Sequence, residues 1–305
     1  MKMAILSHIV SDYIQDKEGR ITKSLGGPAC YGGLTAKQFG FEVTLATKVG
    51  KDFSPPNIDF LRNKGITIKE YQVVQCPTTK FRLTVNKDFR ELFLLEKCAP
   101  LTVEDIQNIH TDCWLVSPVI DEVPANVLAA IVKDNGKKKR NFVMLDPQGY
   151  MRVVNSLSGQ ISLLDDLPLD LSGITAIKAD KEELAALTGG LGGLEGMQFL
   201  QSSKGVKFVI STEDKFIHLL HNEMHYWIKL DIDTPDSTGA GDILSAAFCC
   251  AYLREKDPLW AICFGAGAVR AALETRLTGL SKIPSKSKIE QNAYYYYGTI
   301  MFQKL

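Results

Sequence analysis

DTPDSTGAGDILSAAFCCAY, residues 233–252, takes the chain from a polar turn into an apolar helix. Thr234, Asp236, Ser237 and Thr238 are turn and N-cap residue types. From Ile243 to Leu253 almost every position is apolar. A helix apolar on every face is a buried helix. Its N-terminus then points out of a core, with Gly239 and Gly241 before it. Such an end offers unpaired N–H groups and a positive dipole, which suits an anion. Asp242 adds a carboxylate in the first turn. A base beside a phosphate cradle is what phosphoryl transfer to an alcohol needs. Gly-Ala-Gly is equally compatible with a simple tight loop, and an Asp in a first turn with dipole compensation.

The bulk properties are those of an ordinary globular protein. The 305 residues suffice for one large domain, or one domain with an appendage. Lys+Arg and Asp+Glu balance at 35 each, which points to neither nucleic acid nor an anionic membrane as partner. The seven cysteines, Cys30, Cys76, Cys98, Cys113, Cys249, Cys250 and Cys263, form no C-x-x-C pair. They read as reduced, mostly buried thiols of a cytoplasmic protein. The N-terminus lacks a signal-peptide pattern, and no apolar run reaches the roughly 20 residues of a membrane helix.

Strand and helix patterns alternate along most of the chain. Met3–Val10 reads as a buried strand ending at Ser11-Asp12, and Tyr13–Ser24 as a hairpin. A helix follows Gly26-Gly27, with Pro28 at its first position and its stop at Gly40. Val43–Val49 reads as a strand and Asn57–Lys64 as a helix. Between Ile66 and Leu95 three period-two runs predict consecutive strands, which with the hairpin form a small β lobe. The alternation resumes with a helix at Thr102–Asn108, strands at Cys113–Ser117 and Phe142–Leu145, and a helix at Pro124–Asp134 between them. Lys137–Arg140 reads as a solvated basic loop. Strands follow at Ile174–Ile177 and Val206–Ile210, then a hairpin of Lys215–Leu220 and Met224–Leu230. Asp257-Pro258 starts a helix to about Thr275, and a Lys-rich then Tyr-rich tail ends the chain. Such alternation makes a mostly parallel sheet covered on both faces, with ligands outside the strand C-termini.

Asp236-Ser237-Thr238-Gly239-Ala240-Gly241-Asp242 resembles the D-T-x-G-A-G-D signature of the ribokinase (PfkB-type) carbohydrate kinases, with Ser237 where Thr is common. The resemblance extends to Gly26-Gly27, to Val49-Gly50-Lys51-Asp52, and to Asp180-Lys181-Glu182-Glu183 on the family's N-x-x-E motif. It implies one α/β domain over 1–305: a mostly parallel sheet sandwiched by helices, with a β lid from about 13–24 and 66–95. It implies an ATP- and Mg²⁺-dependent kinase acting on a hydroxyl of a sugar, polyol or nucleoside. Exposed lid edges leave a homodimer open.

Under this resemblance Asp242 is the base, and the Gly239, Ala240 and Gly241 amides stabilise the transferring phosphoryl group. Asp12, Gly26 and Gly27 belong at the substrate. Tyr31 stands where these sugar kinases commonly have Asn. That departure suggests a cyclic polyol such as inositol, or a nucleoside; ordinary helix packing is the alternative. Asp146–Arg152 resembles a D-P-Q-G-x-x-R stretch of one branch, placing Gln148 and Arg152 at the substrate. Lys178, Asp180, Thr212, Gly239, Gly241 and Gly267 are expected at the nucleotide. Glu183, with Asp180, is expected to hold Mg²⁺ through water. Asp180 stands for the usual Asn. Glu213 and Phe216 replace two glycines of a nucleotide loop, and Gly265 and Gly267 read as adenine approach or as helix packing. His218, His221 and His225 do not make a convincing metal set. A non-catalytic ligand-binding protein on the same fold is the reading from another class.

Overall fold

A computed structural model describes residues 1–15, 18–85, 90–134, 141–232 and 236–305. Asp16, Lys17, Lys87 and Asp88 of the expected turns, Lys137–Arg140 and Thr234 lie outside them.

The continuous apolar runs form a nine-stranded sheet. Its parallel part runs in the spatial order Glu42–Ala46, Lys2–Leu6, Cys113–Val116, Phe142–Leu145, Ala176–Asp180, Phe208–Glu213. Phe216–His221, Met224–Lys229 and Met301–Lys304 extend it antiparallel at one edge. Both faces are buried, as runs without alternation require. Met3 and Ile5 face one core with the helices Pro28–Gln38, Ala240–Glu255, Pro258–Glu274 and Lys286–Tyr297. Ala4 and Leu6 face another with Ala125–Asp134, Lys181–Thr188 and Gly193–Lys204. The order reverses beside Lys2–Leu6, which opens a crevice at the strand C-termini.

A second sheet stands over that crevice, in the order Ile21–Gly26, Val10–Gln15, Lys80–Val85, Arg90–Glu96. A hairpin that the sequence reading had not placed, Arg152–Val154 with Ile161–Leu163, docks on its outer strand. There Leu94 N–H donates to Gly159 O at 2.8 Å. Val10, Phe81, Val119 and Ile120 form a small apolar floor.

Four expected elements differ, one of them Val43–Val49, which divides into Glu42–Ala46 of the main sheet and Val49–Gly50, paired with Val73–Val74. The run Met3–Val10 is not one strand: it leaves the main sheet at Leu6 and enters the second at Val10. Side chains take the backbone partners at the joint. Glu122, fully buried, accepts from the N–H groups of His8, Val119 and Ile120, and Thr47 accepts from that of Ile9. Asp12 therefore sits within a strand instead of at its end. Of Ile66–Val74 only Val73–Val74 pairs, because Gln72 turns its amide inward onto Leu45 O at 2.7 Å and caps Lys69 N–H. Thr102–Asn108 closes as a single 3₁₀ turn, Val103–Asp105, held by a reciprocal Thr102–Asp105 cap. No helix among the described residues is long and apolar enough to cross a membrane.

Candidate active site

A cleft of about 510 Å³ lies between the two sheets. The Ala240–Glu255 helix starts at its floor, capped by Gly239 in a left-handed conformation, φ 79°. A Cβ on Gly239 would stand 2.6 Å from ring carbons of Tyr31. The Tyr31 ring therefore fixes this turn from below while one side of it lines the cleft. The packing expected of Tyr31 is observed, and the ring also borders the cleft. Burial, reinforced by Asp12, Asp236 and Asp242, keeps its phenol neutral, with the pKa raised. One expected donor is already used: Ala240 N–H bonds to Ser237 O at 3.0 Å, closing the turn.

Asp242 is 8% exposed and faces the cleft. Gln148 Nε2 donates to its Oδ1 at 3.4 Å, and Arg152 Nη2 holds Gln148 Oε1 at 3.2 Å. Arg152 also donates to Val119 O. Burial and then Asp146 push the Asp242 pKa up to about 8, against the opposing charges of Lys178 and Arg152.

Asp146, which sequence reasoning had placed only in a motif, is 1% exposed, and its Oδ2 lies 3.3 Å from Lys178 Nζ. Glu183 Oε2 lies 3.5 Å from the same ammonium. Burial pulls the Lys178 pKa down, but Asp146, Glu183, Asp180 and Asp242 outweigh it, and the net shift is upward. Gly241 gives the lysine its room, since a Cβ there would stand 3.2 Å from Nζ. Asp180 and Glu183 cap one another: each accepts the other's backbone N–H at 2.8 Å. Burial lifts the Glu183 pKa to about 7, opposed by Lys178.

The other expected residues divide. Asp12 and Gly27 line the cleft. Gly26 serves Asp12, because a Cβ there would collide with Asp12 Oδ2. Thr212 pairs with Asp180 across the strands but is outside the cleft lining. Gly267 is not brought to the site. Its Cα faces the backbone of the Lys286–Tyr297 helix, where a Cβ would meet Ala293 N at 2.7 Å. Gly265 packs likewise on Leu244. His218 and His225 hydrogen-bond at 3.1 Å on the antiparallel edge, and no set of three metal-ligating side chains forms among the described residues.

The sequence matches the pfkB family of carbohydrate kinases over residues 3–286. The chain belongs to that family. PfkB kinases are phosphotransferases with an alcohol as acceptor, and the cleft described above is where this member presents its D-S-T-G-A-G-D stretch. Solved structures with the same ribokinase-like α/β fold include a pyrophosphate-dependent kinase of the ribokinase family complexed with a pyrophosphate analogue and myo-inositol. It has TM-score 0.79 and 21% identity, over 95% of this chain and 99% of that one. A pyrophosphate-dependent myo-inositol-1 kinase converted into a myo-inositol-3 kinase gives 0.78 and 22%, over 97% and 99%. Ribokinase from Thermotoga maritima gives 0.75 and 20%, over 96% and 99%. A search of curated proteins finds no match.

Proposed function

We propose that this pfkB protein transfers a terminal phosphoryl group to a hydroxyl of a small cyclic polyol of the inositol type, with Asp242 as general base. The observation that carries this is a buried carboxylate at the mouth of a glycine turn, held by Gln148, which Arg152 holds in turn, and facing a cleft of substrate size. The acceptor oxygen attacks the terminal phosphorus as Asp242 takes its proton, and the bond to the donor's bridging oxygen breaks. Asp12 accepts hydrogen bonds from other hydroxyls of the acceptor, and Arg152 donates to them. Lys178 meets the negative charge of the transferred group. The four-stranded sheet serves as the lid, extended by the Arg152–Leu163 hairpin. With that hairpin on one edge and Gly279 against Ser24 on the other, little edge is left for a lid-to-lid dimer.

ATP is the first donor to consider. A second reading, inorganic pyrophosphate, is favoured by the nucleotide side: Gly267 serves helix packing, and Glu213 stands in a 2.9 Å ion pair with Lys181 where a loop glycine was expected. Both donors carry the same terminal unit. Hard carboxylate oxygens suit Mg²⁺, but Lys178 stands between Asp146 and Glu183. The set fits a hydrated ion held mainly by donor phosphates, with Asp180 and Glu183 reached through water. Such an ion neutralises phosphate charge when bound.

The test is a matrix of ATP and pyrophosphate against myo-inositol, ribose, fructose and adenosine. Phosphorylation of inositol above the others is expected. Preference for adenosine would establish the nucleoside reading, and silence in every cell the non-catalytic one. The ionised form of Asp242 is the base, so kcat/KM is expected to rise with pH through about 8. In Lys178→Met a charge that lowers the Asp242 pKa is gone, and this limb should move to higher pH. A pH–rate profile with an unmoved limb would separate Lys178 from the base.

A further inference from the structure

Behind the glycine turn sits a lysine that the mechanism above does not use. Lys282 ends the 3₁₀ turn Gly279–Lys282, between the helices Pro258–Glu274 and Lys286–Tyr297, and is 1% exposed. Its Nζ donates to Asp236 Oδ2 at 2.8 Å, to Asp236 O at 3.1 Å and to Thr238 O at 3.0 Å. An ammonium has three donors. All three go to one short loop, the loop that leads into Gly239–Asp242. We propose that Lys282 is a positioning residue for phosphoryl transfer, a tethered cation that holds the 236–239 backbone in its anion-binding shape.

This role rests on the kinase reading above and on the planarity of the peptide unit. In a trans peptide the C=O and the following N–H point in opposite directions, and the described chain has no cis bonds. The carbonyls of Asp236 and Thr238 are drawn back onto Lys282. The N–H groups of Ser237 and Gly239 are thereby thrown away from it. Ser237 and Gly239 line the cleft, and Lys282 does not. The intervening Thr238 N–H is turned aside onto Asp236 Oδ1 at 2.9 Å. The lysine thus sets the direction of two amides and puts a positive charge behind them, without touching substrate.

Two carbonyls and a carboxylate oxygen are also the donor set of a small monovalent cation. The chain supplies that cation covalently. Turnover of the native protein should therefore be indifferent to added ammonium or potassium. Truncating the side chain in K282A should leave a cage of oxygens that a free cation can enter.

The experiment measures turnover, acceptor KM and thermal melting of the native protein, K282A and K282M, with and without ammonium, methylammonium or potassium. K282A is expected to lose about 10²-fold in kcat with little change in KM, and to regain about tenfold with one of these cations. K282M, whose methyl end fills the cage, should lose kcat and gain nothing. If K282A melts without cation, restoration of its cooperative transition by ammonium supports the proposal. A K282A with kcat within about twofold of native, or one whose loss no cation moves, overturns it. Should the native protein phosphorylate nothing, the kinase reading alone fails. Amide exchange at Ser237 and Gly239 then decides: faster in K282A and slowed again by ammonium upholds the tether, and no change removes it.

Discussion

Replacing Asp242 by Asn should cut turnover by about 10²–10⁴-fold and at the same time make the protein more heat-stable at pH 8. The first effect follows from losing the proposed base, since Asn accepts a hydrogen bond but takes up no proton. The second follows from burial. The Asp242 pKa rises from 3.8 to about 8 on folding. Between those values the folded chain holds a proton that the unfolded chain has released. The stability contributed by the group is fully present below the lower value and is lost as pH climbs to the upper one. The slope is about 1.4 kcal/mol per pH unit. Asn carries no such slope. Melting curves at pH 5, 6.5 and 8 should therefore diverge, with the variant ahead by most at pH 8. Near-normal turnover would remove Asp242 from the chemistry. Curves that stay parallel would mean that the carboxylate is not held protonated by its surroundings.

Gly239→Ala should be damaging on two counts, backbone and packing. The left-handed conformation costs a residue with a Cβ about 1–2 kcal/mol. The contact with the Tyr31 ring at 2.6 Å must also be relieved by moving either the ring or the helix start, and overpacking of that kind costs about 1–3 kcal/mol. Destabilisation of about 2–5 kcal/mol is expected from the two together. Turnover should fall further, by about 10²-fold, because displacing the helix start displaces Asp242. The Tyr31→Ala background separates the two causes. With the ring gone the steric part vanishes and the backbone part stays, so denaturation of the four proteins should give a coupling of about 1–3 kcal/mol. Strictly additive costs would clear the Tyr31 contact of responsibility.

Much of this was legible because local chemistry and global fold agree. Phe142–Leu145 is a strand as expected, Pro258 starts a helix capped by Asp257, and the run after Gly239 is a buried helix. Gln148, Lys178 and Asp242 come together from distant parts of the chain because the loop after Phe142–Leu145, the end of Ala176–Asp180 and the start of the Ala240–Glu255 helix meet at the C-terminal edge of the parallel strands. The failures share a cause. At the Ser7–Ile9 joint and at Gln72, side chains remote in sequence supplied the backbone partners, and no period in the sequence reports that. Gly267 was ambiguous because a glycine that admits a ligand and one that admits a helix look alike. Lys282 was hidden in a Lys-rich tail, with its acceptors some 44 and 46 residues earlier.

The hairpin from Arg152 to Leu163 has an engineering consequence. It begins with the guanidinium that holds Gln148 over Asp242 and ends against the outer strand of the small sheet. The sheet and the Asp242 carboxylate are therefore parts of one linkage. Exchanging the four strands alone for those of a relative would cut this link and leave the amide over Asp242 unguided. A graft meant to transplant acceptor choice has to carry residues 146–163 with the sheet as a single cassette.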